Sequence, residues 1–413
     1  MAAAVKMQET KAHTAFIPKD IMANIFKRLP VRSLYRFQCV CRDWKDLIKY
    51  LIKTPPFVQD HFHYSNCQDP VLLLEQYHPK FCGIRLSVLD CDMRVGKVQN
   101  LPSIHSLYNS EVLGSSNGLV CVKTENGINP HPILIWNPAT RDIREVRTRT
   151  IIHFDLIDGL GFEYYRTYIE PKLVDYFGFG FSPLDSDYKI VRINLFHPST
   201  IKAVDLYSLN CGSWKQIDFG NLNGIKMSSA YITINGVMFW DTAWWDDNKD
   251  LVLSIDLSKE VCKLIRMPYL GYASHRNLVE YENKLALVAR KGGSNLIHLW
   301  VLKKYTCPSE DSEEEKRWKW TKIYTSSPCP CPYLIPRTIW RNEIVLVPDQ
   351  IENDGQTTII LYLLNLTTNE FKRHAVISSP HNFQQIRKGT KRDDVEIDIF
   401  NYIESLVLVN RHH

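Results

Sequence analysis

A short repeating unit of turn and strand constrains the fold of this chain more than any other feature. A turn residue opens an apolar strand at residues 117–122, and the same pattern returns at 235–240, 283–288 and 342–347. A second strand follows roughly fifteen residues later, and a polar turn and a third strand close each unit. One antiparallel meander cannot bury both of its faces, so neighbouring units must stack on it in a ring. The sequence therefore predicts a mainly β body, a β-propeller of about six blades.

The two ends of this body are both strand-like. Val71 to Leu74 and Ser405 to Val409 are apolar and β-branched, so we expect them to pair and close the ring without a free sheet edge. Large aromatic side chains recur in the units, and we expect them to form the core between blades. They are Trp136, Trp214, Trp240 and Trp300.

The N-terminal stretch from residue 17 to residue 44 carries more apolar side chains than so short a helical segment can bury by itself. Ile17, Ile21, Ile25 and Leu29 recur at every fourth position, which places them on one helix face. Pro30 ends that helix, and a helical apolar pattern resumes after it. About thirty residues bury only a small core, so the remaining apolar surface predicts a docking face for a partner.

Charge is concentrated in the same stretch. The chain has a formal net charge of +5, and its first 60 residues contain eleven Lys and Arg against five Asp and Glu. This basic excess suits an acidic protein partner as readily as a phosphate backbone. No helix-turn-helix, zinc finger or other nucleic-acid module accompanies it, so we expect a protein partner and no nucleic acid.

Cysteine use and hydropathy indicate a protein of the cytoplasm or nucleus. The eleven cysteines are irregularly spaced in a chain of 413 residues, which favours reduced thiols over a disulfide framework. Cys329 and Cys331 alternate with prolines but have no second ligand pair nearby, so we expect no metal. We expect residues 1–15 to be disordered, and no run is long enough to cross a membrane.

An ordered set of residues runs through positions 16–62. It comprises Ile17-Pro18, Leu29-Pro30-Val31, Ser33-Leu34, Arg36-Phe37, Val40-Cys41, Arg42-x-Trp44, Phe57-Val58 and His61. This set closely resembles the F-box family, whose helices dock on a Skp-type adaptor and thereby join a cullin-RING ubiquitin ligase. The resemblance implies a substrate receptor in which the adaptor would contact Ile17, Pro18, Ile21, Ile25, Leu29, Pro30, Val31, Leu34, Phe37, Val40 and Trp44.

Further motifs lie in the body, from residue 63 to residue 410. They include Gly118-Leu119-Val120-Cys121, Ile135-Trp136-Asn137-Pro138, Gly178-Phe179-Gly180-Phe181 and Asp187-Tyr188-Lys189-Ile190-Val191. These residues resemble the plant F-box-associated interaction domain, a kelch-like propeller. Within that family the chain is similar to S-locus F-box proteins, known members of which recognise ribonucleases of the pistil. The shared motifs are scaffold motifs, so the resemblance makes a pistil ribonuclease one candidate substrate.

Catalytic motifs are missing from the sequence. It contains no nucleophile elbow, His-Glu-x-x-His helix or P-loop, and Gly178-x-Gly180 has neither the third glycine nor the helix of a dinucleotide site. Isolated histidines such as His153, His197 and His298 fit ordinary packed or surface positions. We therefore expect a non-catalytic receptor without a cofactor. The competing interpretation is a propeller enzyme or carbohydrate-binding module whose N-terminal helices are incidental.

Two segments have the composition of a substrate-binding loop. Residues 242–250 place Trp244 and Trp245 beside Asp246, a combination typical of interface hot spots. Residues 149–176 form a long insertion with aromatic side chains, at Tyr164, Tyr165 and Tyr168. The acidic residues 310–315 are most simply a solvated loop.

Overall fold

The chain folds into a small helical module followed by a ring of β-sheets. The computed structural model describes residues 17–67, 71–78, 83–100, 110–124, 132–148, 173–196, 199–220, 222–244, 249–271, 273–305, 317–331, 333–348, 358–377 and 397–410. Within them, four helices precede the sheets: α1 (Lys19–Phe26), α2 (Val31–Phe37), α3 (Arg42–Leu51) and α4 (Pro55–Cys67). Pro18 and Pro30 stand at the N-caps of α1 and α2, where the fixed φ of proline suits the start of a helix.

The sheets contain 24 strands within the described residues. The first twelve are β1 (Val71–His78), β2 (Gly83–Leu89), β3 (Val95–Asn100), β4 (Glu111–Ser116), β5 (Leu119–Lys123), β6 (Ile133–Trp136), β7 (Ile143–Val146), β8 (Leu173–Ser182), β9 (Asp187–Phe196), β10 (Thr200–Ser208), β11 (Ser213–Gln216) and β12 (Ile225–Ile234). The others are β13 (Val237–Trp244), β14 (Asp250–Asp256), β15 (Val261–Arg266), β16 (Ala273–Tyr281), β17 (Lys284–Lys291), β18 (Leu296–Tyr305), β19 (Arg317–Thr325), β20 (Leu334–Trp340), β21 (Glu343–Pro348), β22 (Thr358–Asn365), β23 (Phe371–Ile377) and β24 (Ile397–Tyr402).

These strands form six antiparallel sheets of four strands, which are the blades of a propeller. Blade 1 has the order β24-β1-β2-β3, and blades 2 to 6 take β4–β7, β8–β11, β12–β15, β16–β19 and β20–β23. The first strand of each blade contacts the first strand of the next, from β4 through β8, β12, β16 and β20 to β24 and back to β4. The predicted architecture, helices followed by a six-bladed propeller, is confirmed.

The ring closes where the two ends of the body pair. Val71 lies opposite Tyr402 and Gln76 opposite Ile397 in an antiparallel ladder between β1 and β24. The predicted strand at Ser405 to Val409 is therefore wrong, because closure uses residues 397–402 and the chain then leaves the sheet. Since a strand from each end completes one blade, the inner row of strands has no open edge.

Residues 405–410 instead run across blade 2 and are held by polar side chains. The Nδ2 atom of Asn137 donates to the backbone oxygens of Ser405 at 2.9 Å and Val407 at 2.8 Å. The carboxylate of Asp142 accepts from the backbone N–H of Val409 at 2.7 Å. Both polar residues belong to the connection between β6 and β7, so this turn fixes the C-terminal segment.

Tight turns join the first two strands of several blades. Asn117 and Gly118 have φ angles of 45° and 82°, and Asn235 and Gly236 have 49° and 79°. Two consecutive positive φ angles are typical of the type I′ turn, which Asn-Gly adopts readily. Gly118 meets a second constraint, because a Cβ atom there would clash with that of Ser405.

The core of the ring lies between neighbouring blades, as predicted for the four tryptophans. Trp136 and Trp240 are fully buried, in clusters that join blades 1 to 2 and 3 to 4 respectively. Trp214 and Trp300 are half-buried against the clusters between blades 2 and 3 and between blades 4 and 5. Each cluster contains apolar residues from both neighbours, so the blades support one another.

Candidate functional site: an exposed apolar stripe and the two faces of the ring

The helical module has a buried core of its own. Met22 and Phe26 of α1 pack with residues of the other three helices, and Phe26 is 1% exposed. The rings of Phe26 and Phe37 lie 5.3 and 5.4 Å from the ring of Trp44. Edge-on and tilted contacts at these distances are favourable aromatic packing. This cluster orients α1, so that the opposite side of the helix faces outward.

The outward side of α1 is an apolar stripe. Ile17, Ile21 and Ile25 are 45%, 48% and 47% exposed, and Val40, which follows α2, is 60% exposed. We call these four residues the isoleucine stripe. Helical spacing of four residues keeps Ile21 and Ile25 in one row, and Ile17 lies just before the start of the same helix. The row lies on a helix that the module has already fixed, so it presents preformed apolar surface.

The other residues predicted to bind the adaptor occupy different places. Val31 and Leu34 are completely buried in the module. Leu29, Phe37 and Trp44 are half-buried against the same core. Pro18 and Pro30 are exposed at the helix starts. The sequence pattern thus contains two sets, one that builds the module and one that remains accessible on it.

The module is attached to one end of the ring. Leu406 is completely buried among the helical core residues, and Ala139, from the β6–β7 turn, packs on the same cluster. The side chain of His61 in α4 is buried, and its Nε2 donates to the backbone oxygen of Leu29 at 2.9 Å. Burial lowers the pKa of His61 and favours the neutral ring, while the bond to the Leu29 oxygen opposes this shift. We name this end of the ring the proximal face and the opposite end the distal face.

Strand direction assigns the predicted substrate residues to the distal face. Trp244 ends β13 there, and its backbone N–H donates to the oxygen of Lys249 at 3.0 Å. Its side chain is half-buried against the core between blades 3 and 4. Trp245 and Asp246 lie outside the described residues, as do Tyr164, Tyr165 and Tyr168. Of the 149–176 insertion, residues 173–176 belong to β8.

A channel along the axis of the ring has a cavity volume of about 1960 Å³. Its walls are the inner strands of the blades, and Val58 and Phe62 of α4 line it at the proximal end. The helical module therefore borders one end of the channel, while the distal end is bordered by blade residues.

Ion pairs that the sequence interpretation missed lie in the distal half of the ring. Arg276 donates through Nε and Nη2 to the two carboxylate oxygens of Asp241, both at 2.8 Å. Arg192 makes a similar two-point contact with Asp175, at 3.0 and 2.9 Å. Such paired geometry neutralises the charges and fixes the side chains. In the sequence, these residues stand out as single charges within otherwise apolar strands. The sequence does not show which charge on one strand pairs with which charge on another.

The described residues offer neither a metal site nor an activated thiol at Cys329. Across the part of the chain that the structure describes, no group of three His, Cys, Asp or Glu side chains is placed to hold a metal ion. Cys329 is buried, and burial raises the pKa of its thiol to about 11, which keeps it protonated. None of the described helices has the length and apolar character needed to cross a bilayer.

Both parts of the chain match known protein families. Residues 17–55 match the F-box domain, and residues 88–403 match the F-box associated beta propeller domain. An Arabidopsis thaliana F-box/LRR-repeat/kelch-repeat protein is 24% identical over 312 residues, which cover 75% of this chain and 76% of the relative.

Two further relatives from Arabidopsis thaliana agree with this placement. F-box protein CPR1 is 25% identical over 339 residues, covering 75% of this chain and 73% of its own length. Another F-box protein is 24% identical over 392 residues, covering 89% of this chain and 88% of its own. The resemblance to plant F-box proteins inferred from the motifs is confirmed. The chain belongs to the family of F-box proteins that carry an F-box associated β-propeller domain.

Proposed function

We propose that this protein is the substrate-recognition subunit of an SCF-type cullin-RING ubiquitin ligase. The F-box would dock on a Skp-type adaptor, and the propeller would hold a target protein for ubiquitination and degradation. The observation that carries the proposal is the isoleucine stripe, which remains exposed although the module has its own core and is already attached to the ring. Exposed apolar rows on rigid elements are typical of protein interfaces.

The stripe offers enough apolar area to anchor an adaptor. Burying an exposed isoleucine side chain fully stabilises a complex by about 1.5–3 kcal/mol, so each half-exposed residue of the row offers about 1 kcal/mol. Arg28, Arg32, Arg36 and Arg42 are exposed on the same module and would favour an acidic partner. Val31, Leu34 and Trp44 would act indirectly, because they fix the helices that carry the stripe.

The receptor itself would need no catalytic group. Holding a substrate close to a charged conjugating enzyme raises the effective concentration of the substrate lysines. The competing interpretation, a propeller enzyme or carbohydrate-binding module, has less support. The charged side chains Arg192 and Arg276 form ion pairs with carboxylates in the ring. A structural role explains these pairs, so they do not favour an enzyme. We therefore favour a non-catalytic subunit, acting in the cytoplasm or nucleus.

Adaptor capture tests the proposal directly. The double substitution Ile21→Asp and Ile25→Asp places charges on the stripe without touching the module core. We expect the variant to lose affinity for a Skp-type adaptor by at least tenfold, which is about 1.4 kcal/mol. Leu29 is a poorer target, because it is half-buried and its replacement would also disturb the fold.

The control is Leu184→Asp, which introduces one aspartate, where the stripe variant introduces two, at a side chain that is 79% exposed on blade 3. We expect this variant to retain full adaptor binding. Equal adaptor affinity of the unmodified protein and the stripe variant would contradict the proposed docking surface. Failure of the unmodified protein to bind any Skp-type adaptor would refute the receptor assignment itself.

The target would bind the propeller, and we assign it to the distal face because the F-box occupies the proximal one. Trp244, Trp245, Asp246, Tyr164, Tyr165 and Tyr168 remain the predicted contacts. A pistil ribonuclease stays one candidate target, supported by the resemblance to S-locus F-box proteins alone. Binding of purified pistil ribonucleases to the adaptor complex tests it, and absence of binding would remove this candidate while leaving the receptor assignment intact.

The proposed domain limits are residues 16–62 for the F-box and 63–410 for the propeller. Helix α4 continues to Cys67, so a truncation that preserves this helix must cut after it.

A further inference from the structure

An apolar wall surrounds the proximal end of the axial channel. The hairpins that follow the inner strands lie at this end, because the hairpin of blade 2 reaches Ser405, the neighbour of the F-box core residue Leu406. Half-buried apolar side chains from the ends of the inner strands and from α4 line the channel here: Phe181, Ile232, Phe400, Val58 and Phe62. The whole channel, at about 1960 Å³, exceeds the roughly 300–1,000 Å³ of a typical ligand site, so a small ligand would fill one end of it.

Glu280 is a charged side chain in this apolar surrounding. It is the next to last residue of β16, and its side chain is accessible from the channel. Within the described residues, neither a cation nor a hydrogen-bond donor pairs with its carboxylate. The walls desolvate the carboxylate and thereby raise its pKa, and no neighbouring charge opposes this shift.

The channel wall contains three further carboxylates that are matched by a cation. They are Asp175 with Arg192, Asp185 with Lys189 and Asp398 with Arg337. An ion pair leaves little net charge for a ligand to balance. Glu280 differs, since a ligand that brings a positive charge would supply the partner that the described residues do not.

We propose that the proximal end of the channel binds a small organic amine in its protonated form, with the ammonium on Glu280 and an apolar body against the phenylalanines of the wall. This inference goes beyond the proposed receptor function. A desolvated carboxylate without a partner is stabilised most by a ligand of opposite charge. Phe181 and Phe400 supply aromatic surface on which a flat apolar body packs well.

Two features of the site narrow the ligand further. One carboxylate balances one ammonium, which favours a monoamine over a polyamine. The site also lies at the end of the ring opposite to the face assigned to the target. This position favours a free amine over a lysine side chain of a bound protein.

Three compounds with one apolar body and different charges test the proposal. The full chain is titrated by calorimetry with phenylbutylamine, phenylbutanol and phenylbutyrate, which are a cation, a neutral molecule and an anion at neutral pH. We expect the amine to bind at least about tenfold more tightly than the alcohol, which corresponds to about 1.4 kcal/mol. The anion should bind most weakly.

Substitutions at two nearby glutamates separate the site from a general charge effect. Glu280→Gln removes the charge and keeps the shape, so it should weaken the amine at least about tenfold and leave the alcohol within about twofold. The matched control is Glu282→Gln, because the side chain of Glu282 is 66% exposed in the adjacent hairpin and does not line the channel. This variant should leave both affinities unchanged.

Two more variants complete the design. Phe62→Ala shortens the apolar wall and should weaken the amine and the alcohol by a similar factor. Glu280→Asp keeps the charge but withdraws it from the channel, so its affinity for the amine should lie between those of the unmodified protein and Glu280→Gln. It also replaces Glu280→Gln if thermal unfolding shows that the latter does not fold.

Several results would overturn the inference. They are no binding of the amine, equal binding of the amine and the alcohol, and equal losses in the Glu280 and Glu282 variants. Tighter binding of spermidine would show a polyamine site instead. Equally tight binding of N-acetyl-lysine methylamide would assign the carboxylate to a lysine side chain of a protein.

Discussion

Gly178 lies at a close approach between blades 3 and 4, and its replacement gives a quantitative test of how the ring is packed. A Cβ atom at this position would lie 2.5 Å from Cζ2 and 2.9 Å from Cη2 of Trp240, and 3.0 Å from Sδ of Met238. Trp240 and Met238 are both 0% exposed. A methyl group at Gly178 would therefore meet a ring enclosed on every side by the core cluster between these blades.

The expected magnitude follows from this geometry. Overpacking a well-filled core costs about 1–3 kcal/mol, because neighbouring side chains are forced from their preferred positions. Alanine recovers roughly 0.5–1 kcal/mol relative to glycine within a strand, since it loses less backbone entropy on folding. The two ranges combine to a net loss of about 0–2.5 kcal/mol. Because three atoms would lie within 3.0 Å of the added Cβ, we expect Gly178→Ala to exceed the minimum and lower the free energy of unfolding by about 1–2 kcal/mol. At about 2–4 °C per kcal/mol, the melting temperature should fall by about 2–8 °C.

The assay is thermal and urea unfolding of the full chain with its adaptor, with Gly96→Ala as the matched control. A Cβ atom at Gly96 would meet only the backbone oxygen of Val88, at 3.7 Å, so this variant should be neutral or slightly stabilised. Trp240→Phe removes the clashing part of the indole, and the indole nitrogen of Trp240 has no hydrogen-bond partner within the described residues to lose. Gly178→Ala should therefore cost less in the Trp240→Phe background.

That coupling isolates the steric contact from other effects of the substitution. If Gly178→Ala melted at the same temperature as Gly96→Ala, or if the two substitutions at Gly178 and Trp240 were simply additive, the packing argument would be refuted. The pair Gly178-x-Gly180 would then require a reason other than close approach of the blades.

Three further predictions concern the ring, its junction with the F-box and the F-box itself. Arg276→Met leaves the carboxylate of Asp241 buried without its partner, so urea unfolding should show a loss of about 3–5 kcal/mol; a loss below 1 kcal/mol would contradict this. Leu406→Ala should loosen the F-box from the ring by about 2–4 kcal/mol, seen as faster hydrogen exchange in residues 17–67, whereas unchanged exchange would refute the junction. Burial lowers the pKa of His61, so the contribution of this residue to the free energy of unfolding is fully present above the unfolded pKa of about 6.5 and is lost as the pH drops towards the folded pKa. A melting temperature that stays constant from pH 8 to pH 5 would contradict this.

The architecture was predictable because its determinants are local. The Asn-Gly pair at residues 235–236 specifies the left-handed backbone of its turn, and Trp240, four residues further, is too large and apolar to face water. Repetition of this pattern determines both the blade and the number of blades. The closing strand at residues 397–402 was missed, because the more apolar run at 405–409 resembles a strand more strongly. Its apolar side chains instead pack against the helices and blade 2, as Leu406 and Val409 show.

The accessible part of the F-box was less predictable for a related reason. Ile25 and Phe26 are neighbours of similar hydrophobicity, yet one is 47% exposed and the other 1% exposed. Periodicity gives the angle between them around α1, but it does not say which side faces the module core. That choice is made by Trp44 in α3, which packs on Phe26 from a distant position in the sequence.

The isoleucine stripe and the distal face lie at opposite ends of one closed ring, and this arrangement suits a receptor. Leu406 and the β6–β7 turn hold the F-box against the proximal face, so an adaptor on the isoleucine stripe stays clear of the distal loops. The distal face is formed by the ends of strands whose ladders run through each blade, as those of β17, β18 and β19 do in blade 5. A target bound there would keep a fixed orientation relative to the adaptor, because no flexible linker separates the surfaces within the described residues. Fixed orientation is what raises the effective concentration of a target lysine near the conjugating enzyme. Packing between blades, as at Gly178 and Trp240, therefore serves function as well as stability, since it keeps the two faces of the ring in a fixed orientation relative to each other.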